Sequence, residues 1–307
     1  MSARGPDAEG VWASEGVALG HRRLAILDLE GRANQPMVSS DGRYTIVFNG
    51  EIYNFRELRR ELEADGAAFR TTSDTEILLA LFAREGARML PRLRGMFAFA
   101  IWDARSRELF LARDPYGIKP LYYTGTKDGL LFASQVKALL ASGLVSLEHE
   151  PAGLVGFYLW GSVPEPWTLF RGAFALPAGH WLWVRAGVAE MPVCWHDIRA
   201  HWQGVACKAP TNELQDRVRQ AVLDSVQAHL VADVPVSVFL SGGIDSGVIA
   251  GLASELGACV EGITIGFEEF AGRHDDEVPV ARAIAAHYGL KHHVRIISRT
   301  EFESAIP

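Results

Sequence analysis

The chain has 307 residues, room for two domains with a core in each, and 49% of them are apolar. A net charge of -7 argues against a protein whose main task is gripping nucleic acid, because neutralising phosphates takes a surplus of Lys and Arg. Cys194, Cys207 and Cys259 are too widely spaced for a disulfide framework or a C-x-x-C metal signature. No run approaches the ~20 apolar residues of a membrane span, and the first seven residues lack a signal-peptide core, so a soluble cytoplasmic protein is expected.

In chain order, Val17 to Asp28 and Tyr44 to Phe48 read as strand-like segments joined by turns. Asn49-Gly50 follows, a dipeptide that usually makes a hairpin turn. Phe55 to Ala64 has the spacing of a charged amphipathic helix capped by Asn54. Ser73 and Glu76 frame the next helix as a capping box before the apolar run Ile77 to Phe82, which explains Asp74 in a first turn without any function. Met96 to Trp102 and Glu108 to Ala112 predict antiparallel strands about a turn at 103–106. Leu130 to Ala133 pairs with a strand entered through the turn-rich stretch Arg113 to Tyr123. The region through Leu140 is therefore mixed α+β, in a four-layer or sandwich arrangement. Pro151 to Trp160 reads as a short helix and Trp181 to Val184 as a strand. The Trp residues here serve core or interdomain packing, since no basic patch accompanies them.

Thr211 to Leu230 is a long amphipathic helix leading to Val236–Leu240, apolar and β-branched enough for a buried parallel strand. The strand breaks at Ser241-Gly242-Gly243-Ile244-Asp245-Ser246, and a helix resumes from Gly247. Adjacent glycines at a helix N-terminus let backbone N–H groups approach an anion, so phosphate is the natural guest. The same residues also suit an ordinary loop in which Asp245 or Ser246 caps the helix. There is no Lys after the glycines, so this is not a Walker A loop. Val260–Phe267, Asp275–Tyr288 and Lys291–Ile297 complete a βαβαβ order, which predicts a parallel sheet with ligands at the carboxyl ends of its strands. His292-His293 is not expected to bind metal, because neighbours on a strand face opposite ways.

The loop resembles the SGGxDS loop of the ATP pyrophosphatases, which cradle the pyrophosphate of ATP. Upstream, Arg4-Gly5-Pro6-Asp7, His21-Arg22-Arg23-Leu24, Asn49-Gly50-Glu51-Ile52-Tyr53-Asn54, Ser73-Asp74-Thr75-Glu76, Gly95 to Phe99 and Arg113 to Tyr123 resemble the class II glutamine amidotransferase domain of asparagine synthetases. The resemblance implies that Arg23 pairs with the α-carboxylate of glutamine and that Glu51 and Asp74 receive its ammonium group. It implies an oxyanion hole at Asn49 and the Gly50 N–H. For ATP it implies Leu240, Ser241, Gly242, Gly243, Asp245 and Ser246, with Ile265 and Gly266 near the adenine and Asp245 acting through Mg²⁺. Asp276-Glu277 resembles the family's acidic pair, and complementing a helix dipole explains it equally.

The family's nucleophile is a cysteine after the initiator Met, whereas this chain has Ser2, and residues 1–7 match an interior part of the family domain. The expectation is therefore no catalytic nucleophile, an N-terminal α+β, Ntn-hydrolase-like domain lacking its first strand (1–190), a linker (191–210) and an incomplete α/β ATP pyrophosphatase domain (211–307). Gln135 stands where the family usually has Glu. The implied reaction is ATP-dependent amidation of aspartate with ammonia from glutamine, with a homodimer as the candidate assembly and this chain an inactive fragment. Two alternatives stand beside it: a related enzyme acting on another carboxylate, and a non-catalytic ligand-binding regulator.

Overall fold

The computed structural model describes residues 1–202 and 210–305, the side chain of His201 excepted. It divides into two compact units, Met1–Ala206 and Cys207–Pro307. The predicted linker contains 203–209, including Cys207, which lie outside the described residues.

The first unit opens with the hairpin β1 (Ala8–Ser14) and β2 (Val17–Arg23), then β3 (Met37–Val38) and β4 (Tyr44–Ile52). Next come α1 (Phe55–Ala64), α2 (Asp74–Glu85), β5 (Gly95–Asp103), β6 (Glu108–Arg113), β7 (Tyr122–Thr126) and β8 (Gly129–Ala133). The unit ends with α3 (Val136–Leu140), α4 (Pro151–Trp160), β9 (Ala173–Ala175), β10 (His180–Arg185), β11 (Val188–Ala189), β12 (Val193–Cys194) and α5 (Ile198–Trp202). Among the described residues the main sheet runs β11-β10-β6-β5-β4-β3, with β12 also on β10. Its strands alternate sides as a pleat requires. Val47, Ala98, Ala100, Leu109, Leu111, Leu182 and Val184 pack with Leu19, Leu121 and Leu176 on one face. On the other, Phe82 of α2 meets the rings of Tyr44, Phe110 and Trp183. The result is three layers: helices, the sheet, and the small sheets β1-β2 and β8-β7-β9.

Three local expectations are corrected. Asn49-Gly50 is not a hairpin turn but lies inside β4, paired with Ala98 and Phe97 of β5. Gly50 has φ +156, and a Cβ there would sit 2.1 Å from the Met96 carbonyl oxygen, so close strand approach explains the glycine. Asn54 and Ser73 hold the N-cap positions of α1 and α2 but make no side-chain cap bond. Asn54 instead bridges Arg92 O and Arg94 N, and Glu76 accepts from the N–H groups of Arg70 and Thr71, so there is no capping box. The early part of the predicted linker is built into the first unit, because β12 pairs with β10 and the Trp195 ring stacks on Phe97.

The turn after β6 is organised by two adjacent buried charges that serve opposite kinds of backbone group. Asp114 accepts from the N–H groups of Phe97, Tyr116, Ile118 and Lys119 at 2.9–3.2 Å. Arg113 donates to the carbonyls of Gly117, Lys119 and Leu176 and pairs with Glu165 at 2.6 Å.

The second unit contains α6 (Thr211–His229), β13 (Ser237–Phe239), α7 (Ile244–Glu255), β14 (Glu261–Phe267), α8 (Val278–His287), β15 (Lys291–Ile297) and α9 (Arg299–Ala305). The strands pair in parallel in the order β13-β14-β15, as the βαβαβ pattern predicts. Val226, Leu252, Ala253 and Val260 form one small core, and Leu240, Ala250, Ala281 and Ala285 another. β13 is half-buried rather than buried: Leu240 is covered by α7 and α8, while Phe239 is 73% exposed on the other face. The predicted helix at Asp275 starts later, at Val278, where Asp276 accepts the Val278 N–H.

Replacing Asp114 by Ala should lower stability by about 3 kcal/mol, because it leaves the buried Phe97 N–H and three half-buried N–H groups without their acceptor. Urea unfolding followed by circular dichroism checks this, and a loss below about 1 kcal/mol would mean that water replaces the carboxylate.

Candidate functional site

In the first unit a cleft of about 1200 Å³ brings together Arg23, Asn49, Gly50, Glu51 and Asp74, which come from β2, β4 and the start of α2. Its back wall is the outer edge of β4. Odd residues of β4 face β5, since Arg43 O and Tyr53 N bond to Ala104 N and Arg94 O, at either end of β5. Even residues face the outer edge, where β3 pairs only with Thr45 and Ile46. Beyond Ile46 no strand continues on that edge among the described residues, so buried backbone groups there need side-chain partners.

Gln35 and His21 supply those partners at Phe48, and Asp74 supplies one at Ile52. Phe48 N–H donates to Gln35 Oε1 at 2.6 Å, and His21 Nε2 donates to Phe48 O at 3.0 Å. Ile52 N–H donates to Asp74 Oδ2 at 3.0 Å. Gly50 lies between these anchored residues on the same edge and lines the cleft, next to the exposed Asn49. Motif reading did not single out Gln35. The available signal was the spacing of His21, two residues before Arg23 and therefore on the same face of β2.

Arg23 is buried and heavily committed. Its Nη1 donates to Glu30 O at 3.1 Å and Asn34 Oδ1 at 2.8 Å, and its Nη2 to the carbonyls of Leu27 and Asp28. Both Nη groups therefore hold the 27–34 loop in place, rather than being poised as a free fork. Burial pushes the Asp74 carboxyl up to about 7, with Glu51 adding to the shift and the Ile52 N–H opposing it. Burial also holds His21 below the ordinary imidazole range, and Arg23 adds to that effect. At neutral pH His21 is a neutral ring whose Nε2 carries the hydrogen, while buried Nδ1 has no partner.

In the second unit Leu240 directly follows β13 and Gly243 caps α7 with extended backbone, φ -81 and ψ 157. The Ser241 and Ser246 hydroxyls meet at 2.9 Å, and Ser241 N–H donates to Ser246 Oγ at 3.1 Å, so the loop is tied across its base. Asp245 is exposed in the first turn of α7. Ile265 and Gly266 follow on β14 beside this loop, and a Cβ on Gly266 would meet Val278 Cγ2 at 2.7 Å. A Cβ on Gly242 would lie 3.6 Å from that of Glu277, which places Glu277 at the rim, whereas Asp276 accepts the Val278 N–H. No motif marks Thr264, which donates to Leu240 O at 2.6 Å and contacts His292 Nε2 at 2.7 Å. The hydroxyl has one hydrogen, so His292 must be the donor in that second contact. His293 turns to Glu261 instead.

Residues 1–195 match the family model described as glutamine amidotransferase domain. The chain belongs to that family. Residues 217–307 match the asparagine synthase model. The first unit has the α+β, Ntn-hydrolase-like amidotransferase fold, and the second carries a parallel sheet of the ATP pyrophosphatase kind. Asparagine synthetase [glutamine-hydrolyzing] 1 of Bacillus subtilis (strain 168) is 40% identical over 304 residues, which are 99% of this chain and 47% of that protein. Amidase chry2 of Gibberella zeae is 36% identical over 315 residues, 96% of this chain and 45% of that protein. A solved glutamine phosphoribosylpyrophosphate amidotransferase from B. subtilis aligns with TM-score 0.42 and 19% identity, over 94% of this chain and 56% of that one. The chain spans about half the length of the curated relatives it matches. No helix among the described residues is long and apolar enough to cross a membrane.

Asp74 makes stability pH-dependent with a definite sign. Between 3.8 and about 7 the folded chain keeps a proton that the unfolded chain has released, so this carboxyl makes the fold less stable as pH rises through that window. Asp74→Asn should flatten the dependence. Urea midpoints of both proteins at pH 5 and pH 7.5 measure it, with the mutant gaining on the wild type at the higher pH.

Proposed function

We propose that this chain carries the glutamine-binding and ATP-binding machinery of a glutamine-hydrolysing asparagine synthetase acting in the cytoplasm. Glutamine is hydrolysed to glutamate and ammonia. ATP adenylates the β-carboxylate of aspartate with loss of pyrophosphate, and ammonia attacks the β-carbonyl carbon of β-aspartyl-AMP to give asparagine and AMP. The observation that carries the reading is the convergence of Arg23, Asn49, Gly50, Glu51 and Asp74 in one cleft.

In this proposal Glu51 and ionised Asp74 receive the ammonium group of glutamine, and Asn49 with the Gly50 N–H faces its amide oxygen. Arg23 supplies positive charge for the α-carboxylate, but its Nη groups are engaged with the loop, so it shapes the pocket as much as it pairs. At the other site the N-terminus of α7 and the Gly242–Gly243 backbone suit phosphate, and the exposed Asp245 suits Mg²⁺ carried by ATP. Mg²⁺ when bound supplies charge neutralisation of the phosphates. Asp245 would hold it, while the Ser241–Ser246 hydrogen bond ties the loop across its base.

Calorimetric titration of the 307-residue chain with L-glutamine tests the first site. Affinity should fall as pH drops below about 7, because a protonated Asp74 no longer attracts the ammonium group, and Glu51→Gln should weaken binding at every pH. The absence of binding at pH 8 would overturn the glutamine reading. At the second site Gly243→Val should fold, since the backbone of Gly243 is in a region that Val adopts readily, yet bind ATP with Mg²⁺ about tenfold more weakly or worse. Equal affinity in a folded mutant would show that the loop is no phosphate cradle. Pyrophosphate release from ATP with aspartate, set against a panel of other carboxylates, decides the acceptor. That panel is warranted because a 36% identical relative is named an amidase.

A further inference from the structure

Phe48 precedes the Asn49–Gly50 pair on the edge of β4 that has no neighbouring strand past Ile46 among the described residues, and side chains hold both of its peptide groups. An N–H only donates, so Gln35 must turn Oε1 toward Phe48, which leaves its amide nitrogen for Thr75 Oγ1 at 3.3 Å, on α2 beside Asp74. A carbonyl only accepts, so His21 must carry its hydrogen on Nε2. Two residues beyond Gly50, Asp74 takes the Ile52 N–H. The backbone of Gly50 is thus bracketed on its cleft-facing edge by anchors at Phe48 and Ile52.

Two further features fit this arrangement. A Cβ on Gly10 would lie 2.2 Å from Gln35 O, so a glycine in β1 lets the Gln35 backbone lie close enough for its side chain to reach Phe48. His21 leaves Nδ1 buried and unpartnered, a cost that its bond to Phe48 accounts for.

We propose that Gln35 and His21 act together in the place that a neighbouring strand would take beside Phe48 and thereby aim the Asn49–Gly50 donors at the amide of glutamine. They are positioning residues for that amide and not for the α-amino-acid end of the ligand. The inference rests on the glutamine reading above and adds to it a division of labour within the pocket.

The test compares L-glutamine with L-norvaline, which shares the α-ammonium and α-carboxylate groups but has no side-chain amide. Both are titrated calorimetrically into the wild-type chain and into Gln35→Leu, His21→Phe and His21→Gln. Hydrogen exchange at the Phe48 amide is followed in parallel. Gln35→Leu and His21→Phe should lose about tenfold in glutamine affinity, the usual scale for an orphaned hydrogen-bonding group, with norvaline affinity kept within about twofold. Phe48 should exchange faster in Gln35→Leu. His21→Gln, which keeps an N–H donor near the position of Nε2, should restore glutamine binding.

Equal losses for both ligands would show a merely structural role and overturn the inference, as would an unchanged preference for glutamine in both weakening variants. Should Gln35→Leu fail to fold, the His21→Phe and His21→Gln pair decides by the same criterion. A wild-type chain that binds norvaline and glutamine equally, or neither, would overturn the glutamine reading and this inference with it. Wild-type preference retained in the variants overturns only the inference.

Discussion

A buried backbone N–H or C=O must find a partner, and wherever a sheet runs out the partner has to be a side chain. Much of what is distinctive in the first unit follows from this constraint. Past Ile46 the outer edge of β4 has no strand beside it among the described residues, and Gln35, His21 and Asp74 take over the role of one. At the turn after β6 the same constraint is met by a pair of opposite charges, with Asp114 collecting N–H groups and Arg113 collecting carbonyls. Arg113 is the last residue of β6 and Asp114 the first of the turn, so the two charges stand at the point where ladder pairing stops.

The electrostatics of the cleft follow from the same economy. Asp74 is drawn into a dry position to bond Ile52, and that burial raises its pKa to about 7. A carboxyl in this state is poorly hydrated, and a cation placed beside it would favour its ionised form. Arg23 illustrates the opposite case: its guanidinium makes so many bonds to the 27–34 loop that its position is nearly fixed. Such a group costs little entropy to use, because its rotamer freedom has already been given up in folding. The cleft is therefore shaped before any ligand arrives.

In the second unit the loop after β13 is stabilised by hydroxyls rather than charges. Ser241 and Ser246 close its base, and Thr264 with His292 anchors the Leu240 carbonyl from the neighbouring strands. None of these groups draws on the exposed Asp245, which stays in solvent at the first turn of α7. Leaving that carboxylate out of the internal network keeps its charge directed outward.

Strands and helices set by periodicity were legible in the sequence: β15 runs over Lys291–Ile297, α1 over Phe55–Ala64 and α4 over Pro151–Trp160, as their patterns predict. The family was legible too, because its motifs are local strings whose order along the chain can be checked without a structure. Local rules failed where a tertiary contact outbid them. Asn49-Gly50 looks like a hairpin turn but is pulled into β4 by its pairing with β5. Glu76 looks like half of a capping box but satisfies the N–H groups at 70–71. Gln35 carries no motif that marks it, since its partners Phe48 and Thr75 lie 13 and 40 residues away. The sequence by itself determined the kinds of element, their order and the identity of the polar residues available to a site. Tertiary structure alone decided which backbone groups were left without a strand, and hence which of those side chains became part of the scaffold and which still face the cleft. Hydrogen-bond satisfaction is a property of neighbours in space, and spacing along the chain does not encode it.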